Sequence, residues 1–308
     1  MLTLRASFAT HSYTRALKDG SIKLPHAELE FVEFSPQSAA FQKMVPVAEL
    51  DLVEMVLTHY LIARDYDKPF IAIPVFPGRQ FHHGGVVYNV KSGIRTPKDL
   101  EGKRVGVRTY GVSRGFWARA FLAREYKVDI SRVTWVVNDP EDIAAYRPPA
   151  NVELVSGDLE NMLEEGQIDA AIGVSMARSP DFKPLLDDAN AAAAASFRTT
   201  GIYPINHLIV LRQELVDHDP QLPLDLFNAF CEAKAAFLGQ VDMGAELGAH
   251  EKALAALRHI VGPDPMPYGI ERNRNALQAS VEEAAAQGLT SKQFAVDELF
   301  VPSVRGLG

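Results

Sequence analysis

The stretch that most constrains this chain is Phe70-Ile71-Ala72-Ile73-Pro74-Val75-Phe76. An unbroken apolar run of this length reads as a strand buried on both faces, and such strands occur where helices cover both sides of a sheet. Directly after it come Pro77-Gly78-Arg79-Gln80-Phe81-His82-His83-Gly84-Gly85. The Pro-Gly pair predicts a turn. A permanent guanidinium charge, two imidazoles that titrate near neutrality and bare glycine backbone then meet at the mouth of the strand. An anionic ligand that must exchange a proton could use all three. A solvated surface turn would have the same composition.

With 308 residues the chain can bury a large core, and its length suggests about two domains. Its net charge of −8, with no basic run, argues against nucleic acid as a partner, so local arginines would have to capture an anionic ligand against the overall field. The single cysteine, Cys231, excludes a disulfide framework and reads as a core residue of an apolar helix. No stretch is long and apolar enough to span a membrane, and the amino terminus lacks a charged segment followed by an apolar one. The expected location is cytoplasmic.

Along the chain, alternating segments at 2–8 and 29–34 predict strands. Between them, His11, Tyr13, Thr14 and Arg15 lie on a loop before Asp19-Gly20. Ser35-Pro36 predicts the start of a short helix carrying Phe41 and Met44. A strand is expected at 50–55, with Thr58 capping the helix after it, and Glu54 falls at that strand's end. There it is either a solvated carboxylate or a group facing a cleft at the carboxyl edge of a sheet. Residues 86–90 continue as a strand of the first unit, and 93–103 form the entry to a second unit whose first core strand is 104–108. Gly111-Val112-Ser113-Arg114-Gly115 opens a helix with Trp117, Ala120 and Phe121 on one face. Its free N–H groups and Arg114 offer an anion site, while the glycine spacing fits no nucleotide-binding loop. Strands at 133–137 and 168–174, a helix at 158–165, an apolar run at 208–211 and a helical stripe of Leu226, Phe230, Ala233 and Phe237 complete the core pattern. The alanine run 191–195 suggests no function.

This order predicts an α/β protein of two lobes, the first formed by 1–90 and 201–308 and the second by the inserted 91–200, with a ligand cleft between them. The chain resembles the 4,5-dihydroxyphthalate decarboxylase family, which has the fold of type II periplasmic binding proteins. The resemblance rests on residues 72–83, on Pro97-Lys98-Asp99-Leu100-Glu101-Gly102-Lys103-Arg104-Val105-Gly106-Val107, on Thr200-Gly201-Ile202-Tyr203-Pro204-Ile205-Asn206-His207 and on Pro267-Tyr268-Gly269. Thr14-Arg15, Asp19-Gly20 and Glu54-Met55 also match, in the family's order. The Asp-Leu-x-Gly-Lys stretch is common to many binding proteins; the segments around Arg79 and His207 are far more specific. The family usually has Arg in place of His82, Ser-Ser in place of Gly84-Gly85 and Pro-Glu in place of Arg108-Thr109. These departures fall in lining loops and bear on the substrate rather than the fold.

The resemblance implies decarboxylation of a hydroxylated aromatic acid, most directly 4,5-dihydroxyphthalate to protocatechuate. Each carboxylate of that compound is para to a hydroxyl. Once the hydroxyl loses its proton, the ring carbon bearing the carboxylate can be protonated, and loss of CO2 restores aromaticity without a metal or organic cofactor. Arg79 is expected to grip a carboxylate and His83 to protonate the ring carbon, with Glu54 or His207 accepting the phenolic proton. Arg114 and Ser113 are expected to bind the second carboxylate, and Tyr110, His82, Tyr203, His11 and Arg15 to contact substrate. His82 and His83 are adjacent and, if extended, point to opposite sides. Glu54 and His207 lack a chelating spacing within one element, so no metal is expected. A non-catalytic binding protein for a small carboxylate is the alternative on the same fold. A pyrimidine-precursor enzyme of this fold would bring a cysteine-rich motif that is absent. A homo-oligomer is the one protein partner this reading admits.

Overall fold

The computed structural model describes residues 2–35, 39–40, 49–244 and 248–308. The helix expected after Ser35-Pro36, with Phe41 and Met44, lies outside the described residues. The strands are β1 (Leu2–Ser7), β2 (Ala27–Phe31), β3 (Leu52–Val56), β4 (Phe70–Arg79), β5 (Val86–Asn89), β6 (Arg104–Val107), β7 (Thr134–Val137), β8 (Val152–Leu154), β9 (Ala170–Ile172), β10 (Phe182–Pro184) and β11 (Ile205–Arg212). They form two sheets, ordered β2-β1-β3-β11-β4 and β10-β5-β9-β6-β7-β8. In the first, β1 runs parallel to β2 and β3, whereas β11 is antiparallel to both β3 and β4. The amino end of β11 therefore lies beside the carboxyl ends of β3 and β4. In the second sheet β6 runs parallel to β7 and β9. Residues 86–89, expected in the first unit, instead pair antiparallel with β9 and β10.

The expected turn at Pro77-Gly78 is not formed. Strand β4 runs on through both residues to Arg79. Among the described residues, β4 is hydrogen-bonded within its sheet only to β11, which makes it an edge strand, where proline is tolerated because no ladder donor is lost on the outer side. Its outward carbonyls do find donors. Ala72 O accepts from the Val301 N–H (3.0 Å) and Pro74 O from the Gly269 N–H (2.8 Å). Pro77 O accepts from the Tyr13 hydroxyl (2.7 Å).

One hydrophobic core packs Val56, Val105, Phe116, Trp117 and Ile205 together, so it draws on both sheets and on the helix Ser113–Tyr126. A second core covers the other face of the first sheet, where Leu226, Phe230 and Ala233 of the helix Leu222–Asp242 meet Leu4, Ile71 and Ile73. Truncating a fully buried ring such as Phe230 to alanine would cost about 3–5 kcal/mol. Cys231, expected in the core, is half-buried at the margin of this cluster because it sits one position off the apolar stripe. Polar bonds also join the two units. Trp117 Nε1–H donates to Ile205 O (2.9 Å). Thr58, expected to cap its helix, lies one residue inside the helix Leu57–Asp65 and donates its hydroxyl to Gly111 O.

Candidate active site

A cavity of about 320 Å³ opens where the carboxyl edges of the two sheets face each other. From the first sheet it is lined by Val56 at the end of β3, Gln80 just after β4, and Asn206 and His207 at the start of β11; His82 adds to the same wall. From the second it takes Arg108 just after β6, Ser113 and Arg114 at the start of their helix, and Gly173 just after β9. Crevices at strand carboxyl ends are where open α/β folds take ligands.

His207 is held from behind. Its Nδ1 lies 2.6 Å from Glu54 Oε1, and the other carboxylate oxygen accepts the Ala9 N–H at 2.9 Å. The register explains the contact: His207 pairs with Val56 and Ile209 with Glu54, so His207 and Glu54 are diagonal neighbours on one face. Burial pushes the Glu54 carboxyl up, yet hydrogen bonds from His11 and His207, and their charge, outweigh it and hold Glu54 well below the usual carboxylate range. An ionised Glu54 keeps the proton on His207 Nδ1, which makes Nε2 the nitrogen that can take or give a second one. His11 Nε2 stands 3.8 Å from the same Glu54 oxygen, and its ring stacks on Tyr13. Gly78 is what lets His207 sit here: a Cβ at position 78 would lie 2.7 Å from both Cγ and Nδ1 of the imidazole.

His82 lies beside this group, its Nε2 2.8 Å from Asn206 Oδ1. Burial, with Arg114 and His83 nearby, pushes its pKa down to about 4, so His82 is neutral at neutral pH. Across the cavity, Arg114 has no acidic partner among the described residues. Its guanidinium is accommodated by Gly173, where a Cβ would come within 2.8 Å of Nη1. The helix Ser113–Tyr126 starts without a side-chain cap, which leaves its first N–H groups as anion donors. The Ser113 hydroxyl is turned to Asn206 O at 3.1 Å.

Several expected site residues lie elsewhere. His83 is turned away from the cavity: its Nε2 is 3.1 Å from Glu125 Oε2, its ring stacks on Phe121, and it lines only a small neighbouring void of about 50 Å³. His82 borders both spaces and shares the small void with His83, so the two adjacent histidines are not turned to opposite sides. Strand alternation points Arg79 away from the side of Gly78 and Gln80. Its Nη1 donates to Asn273 Oδ1 (2.6 Å) and its Nη2 to Tyr203 O (2.7 Å), with the guanidinium over the Tyr203 ring. Burial lowers Arg79 only to about 10, so it remains a cation inside the first unit. Tyr203 is buried beneath it, and burial pushes its hydroxyl up to about 12. Tyr110 is buried under Arg119 and donates its hydroxyl to Gln287 O (3.0 Å). Arg15 lines a separate hollow beside Phe237 and Glu251. Glu54 and His11 are not among the groups lining the cavity; Glu54 contacts His207, which is, and His11 contacts Glu54. The sequence reading missed Gln80 and Asn206 as lining groups, and it placed Arg108 in a lining loop without giving it a role. Arg108 carried a signal, a charged residue directly after an apolar strand. Among the described residues, no cluster of three or more His, Cys, Asp or Glu is arranged to hold a metal ion.

Fold and cleft together define a two-lobed α/β protein of the periplasmic-binding-protein type. The structure matches the periplasmic aliphatic sulphonate binding protein SsuA from Escherichia coli with a TM-score of 0.56 and 15% identity, over 97% of this chain and 92% of that one. It matches the desulfurization enzyme DSZB with a TM-score of 0.55 and 14% identity, over 99% and 97% of the two chains. At such identities the likeness concerns the fold alone. No family model matches the chain. In sequence it is 32% identical, over 324 aligned residues covering 98% of both chains, to 4,5-dihydroxyphthalate decarboxylase from Comamonas testosteroni. It is 31% identical over 185 residues to the Pseudomonas putida enzyme of the same name, covering 56% of this chain and 71% of that one. The chain belongs to the 4,5-dihydroxyphthalate decarboxylase family, and it is an enzyme of the carboxy-lyase class. Among the described residues, no helix is long and apolar enough to cross a membrane.

Proposed function

We propose that the chain decarboxylates a hydroxylated aromatic dicarboxylate, 4,5-dihydroxyphthalate being the first candidate, in the cavity between its two lobes. We take the lobes to be the two sheets with their helices, the chain crossing near Gly84-Gly85 and again near Gly201. The observation that carries the reading is the buried Glu54 carboxylate behind His207, on a cavity wall that faces Arg114 and an uncapped helix start.

In this scheme Arg114 and the helix N–H groups hold the carboxylate end of the substrate. His207 Nε2 takes the phenolic proton. The imidazolium, stabilised by Glu54, delivers it to the ring carbon bearing the carboxylate para to that oxygen. The C–C bond to CO2 then breaks, its electrons restore the aromatic ring, and the phenolate is reprotonated. Overall, one carboxylate and one proton become one aromatic C–H and CO2. Neutral His82 adds no charge of its own and can accept a hydrogen bond from the second hydroxyl. Proton transfer of this kind contributes roughly 10²–10⁴-fold, so orientation in the cleft must supply more.

The test is CO2 release and loss of substrate absorbance when purified protein meets 4,5-dihydroxyphthalate, with and without EDTA. Turnover insensitive to EDTA supports the acid–base scheme. Thermal stabilisation by the same compound without CO2 release would contradict it.

A further inference from the structure

We propose that Arg108 is the specificity-determining residue of this cleft: with Arg114 it selects a substrate bearing two adjacent carboxylates and lets a singly charged product leave. The inference rests on the decarboxylase reading above and deepens it. Removing one carboxylate from 4,5-dihydroxyphthalate leaves 3,4-dihydroxybenzoate, whose remaining carboxylate is still para to a hydroxyl. The same proton transfer would remove that group too, so the chemistry does not stop itself. Binding has to stop it.

The fixed charge of the cavity is suited to this. On the first-lobe wall, Gln80 and Asn206 are uncharged and His82 is held neutral. Both permanent cations, Arg108 and Arg114, stand on the second-lobe wall. They differ in commitment. Arg114 has no acidic partner among the described residues. Arg108 Nη1 reaches Asp139 Oδ2 at 3.4 Å, with both side chains about half exposed (47% and 50%). A long, solvent-screened pair of this kind is weak and yields to a better-placed carboxylate. A monoanion satisfies Arg114 and leaves Arg108 on Asp139, whereas a vicinal dianion engages both guanidinia. One added charge-assisted contact corresponds to roughly 10–100-fold in affinity.

The experiment is calorimetric titration of phthalate and benzoate, which lack the hydroxyls needed for reaction, into wild type, Arg108→Gln, Arg108→Lys and Asp139→Asn, alongside steady-state kinetics with 4,5-dihydroxyphthalate. All three substitutions are on exposed side chains, so folding is not at stake. Phthalate should bind wild type at least about tenfold tighter than benzoate. Arg108→Gln should weaken phthalate roughly 10–100-fold and leave benzoate within about twofold; its KM should rise with kcat little changed. Arg108→Lys should restore part of the preference, and Asp139→Asn should strengthen phthalate binding. An unchanged phthalate-to-benzoate ratio in Arg108→Gln overturns the proposal even if wild type turns the substrate over. A changed ratio in a protein that releases no CO2 would instead sink the reaction and leave the charge selection standing.

Discussion

His207 with Glu54 and His83 with Glu125 are the same chemical pair in opposite settings. In the first, the carboxylate is buried (1% exposed) and the imidazole opens to the cavity (32%). In the second, the imidazole is buried (5%) and the carboxylate is the more open partner (28%). Burial alone would favour the neutral acid, but the hydrogen bonds and charge of His11 and His207 keep Glu54 ionised, and that buried charge fixes the tautomer of the histidine lining the cavity and would stabilise its imidazolium. A buried imidazole bound to an accessible carboxylate, with Ser196 on the same carboxylate, is an anchor: it ties the segment after β4 to the helices Ser113–Tyr126 and Ala189–Thr200. In the proposed scheme, only the pair whose imidazole opens to the cavity can exchange a proton with a ligand.

The sharpest way to break this comparison is Glu54→Gln. The amide keeps the shape and can still accept the Ala9 N–H, but it removes the charge behind His207. The expected loss in kcat is about 10²–10⁴-fold with KM little altered, measured by CO2 release. Glu125→Gln, by contrast, should leave kcat within about threefold.

Gly78→Ala tests position rather than charge. The added methyl group must displace the His207 ring, and a shift of this kind costs on the order of 10²-fold in kcat while the protein stays folded. Circular dichroism alongside the assay separates the two effects.

His82 gives a smaller, pH-dependent effect. Its folded pKa of about 4 lies below the ordinary 6.5, so the unfolded chain binds this proton more readily. The stability it contributes is complete above the unfolded pKa and is lost as pH falls from there toward the folded value. Wild type should lose roughly 2 kcal/mol through this group between about pH 7 and pH 5, and His82→Gln should flatten that part of the urea-denaturation profile. An equally steep loss in the variant would show that His82 is not held neutral.

The smallest effect is that of Glu125→Gln on stability. It should cost about 1–3 kcal/mol by leaving His83 without its charged partner, read from the urea midpoint.

Much of this was legible from local pattern. The apolar runs at 70–76 and 208–211 are strands, and the stripe of Leu226, Phe230 and Ala233 is core. Arg114 was recognisable because a charged residue at an uncapped helix start carries its meaning locally. What was hidden depends on partners distant in sequence. Pro77-Gly78 looks like a turn unless β4 is known to be an edge strand and Gly78 to lie against His207. His82 and His83 are neighbours in sequence, but that only His82 borders the larger cavity depends on their distant partners Asn206 and Glu125. Arg79 looked like a carboxylate clamp; its Nη1 and Nη2 are engaged by Asn273 and Tyr203, more than a hundred residues away.

The most direct test of the central claim is a side-by-side assay of His207→Asn and His83→Asn for CO2 release from 4,5-dihydroxyphthalate. The account predicts that His207→Asn loses at least about 10²-fold in kcat while His83→Asn stays within about threefold of wild type. The reverse order would contradict it, because the proton would then pass through the pair that lies outside the cavity.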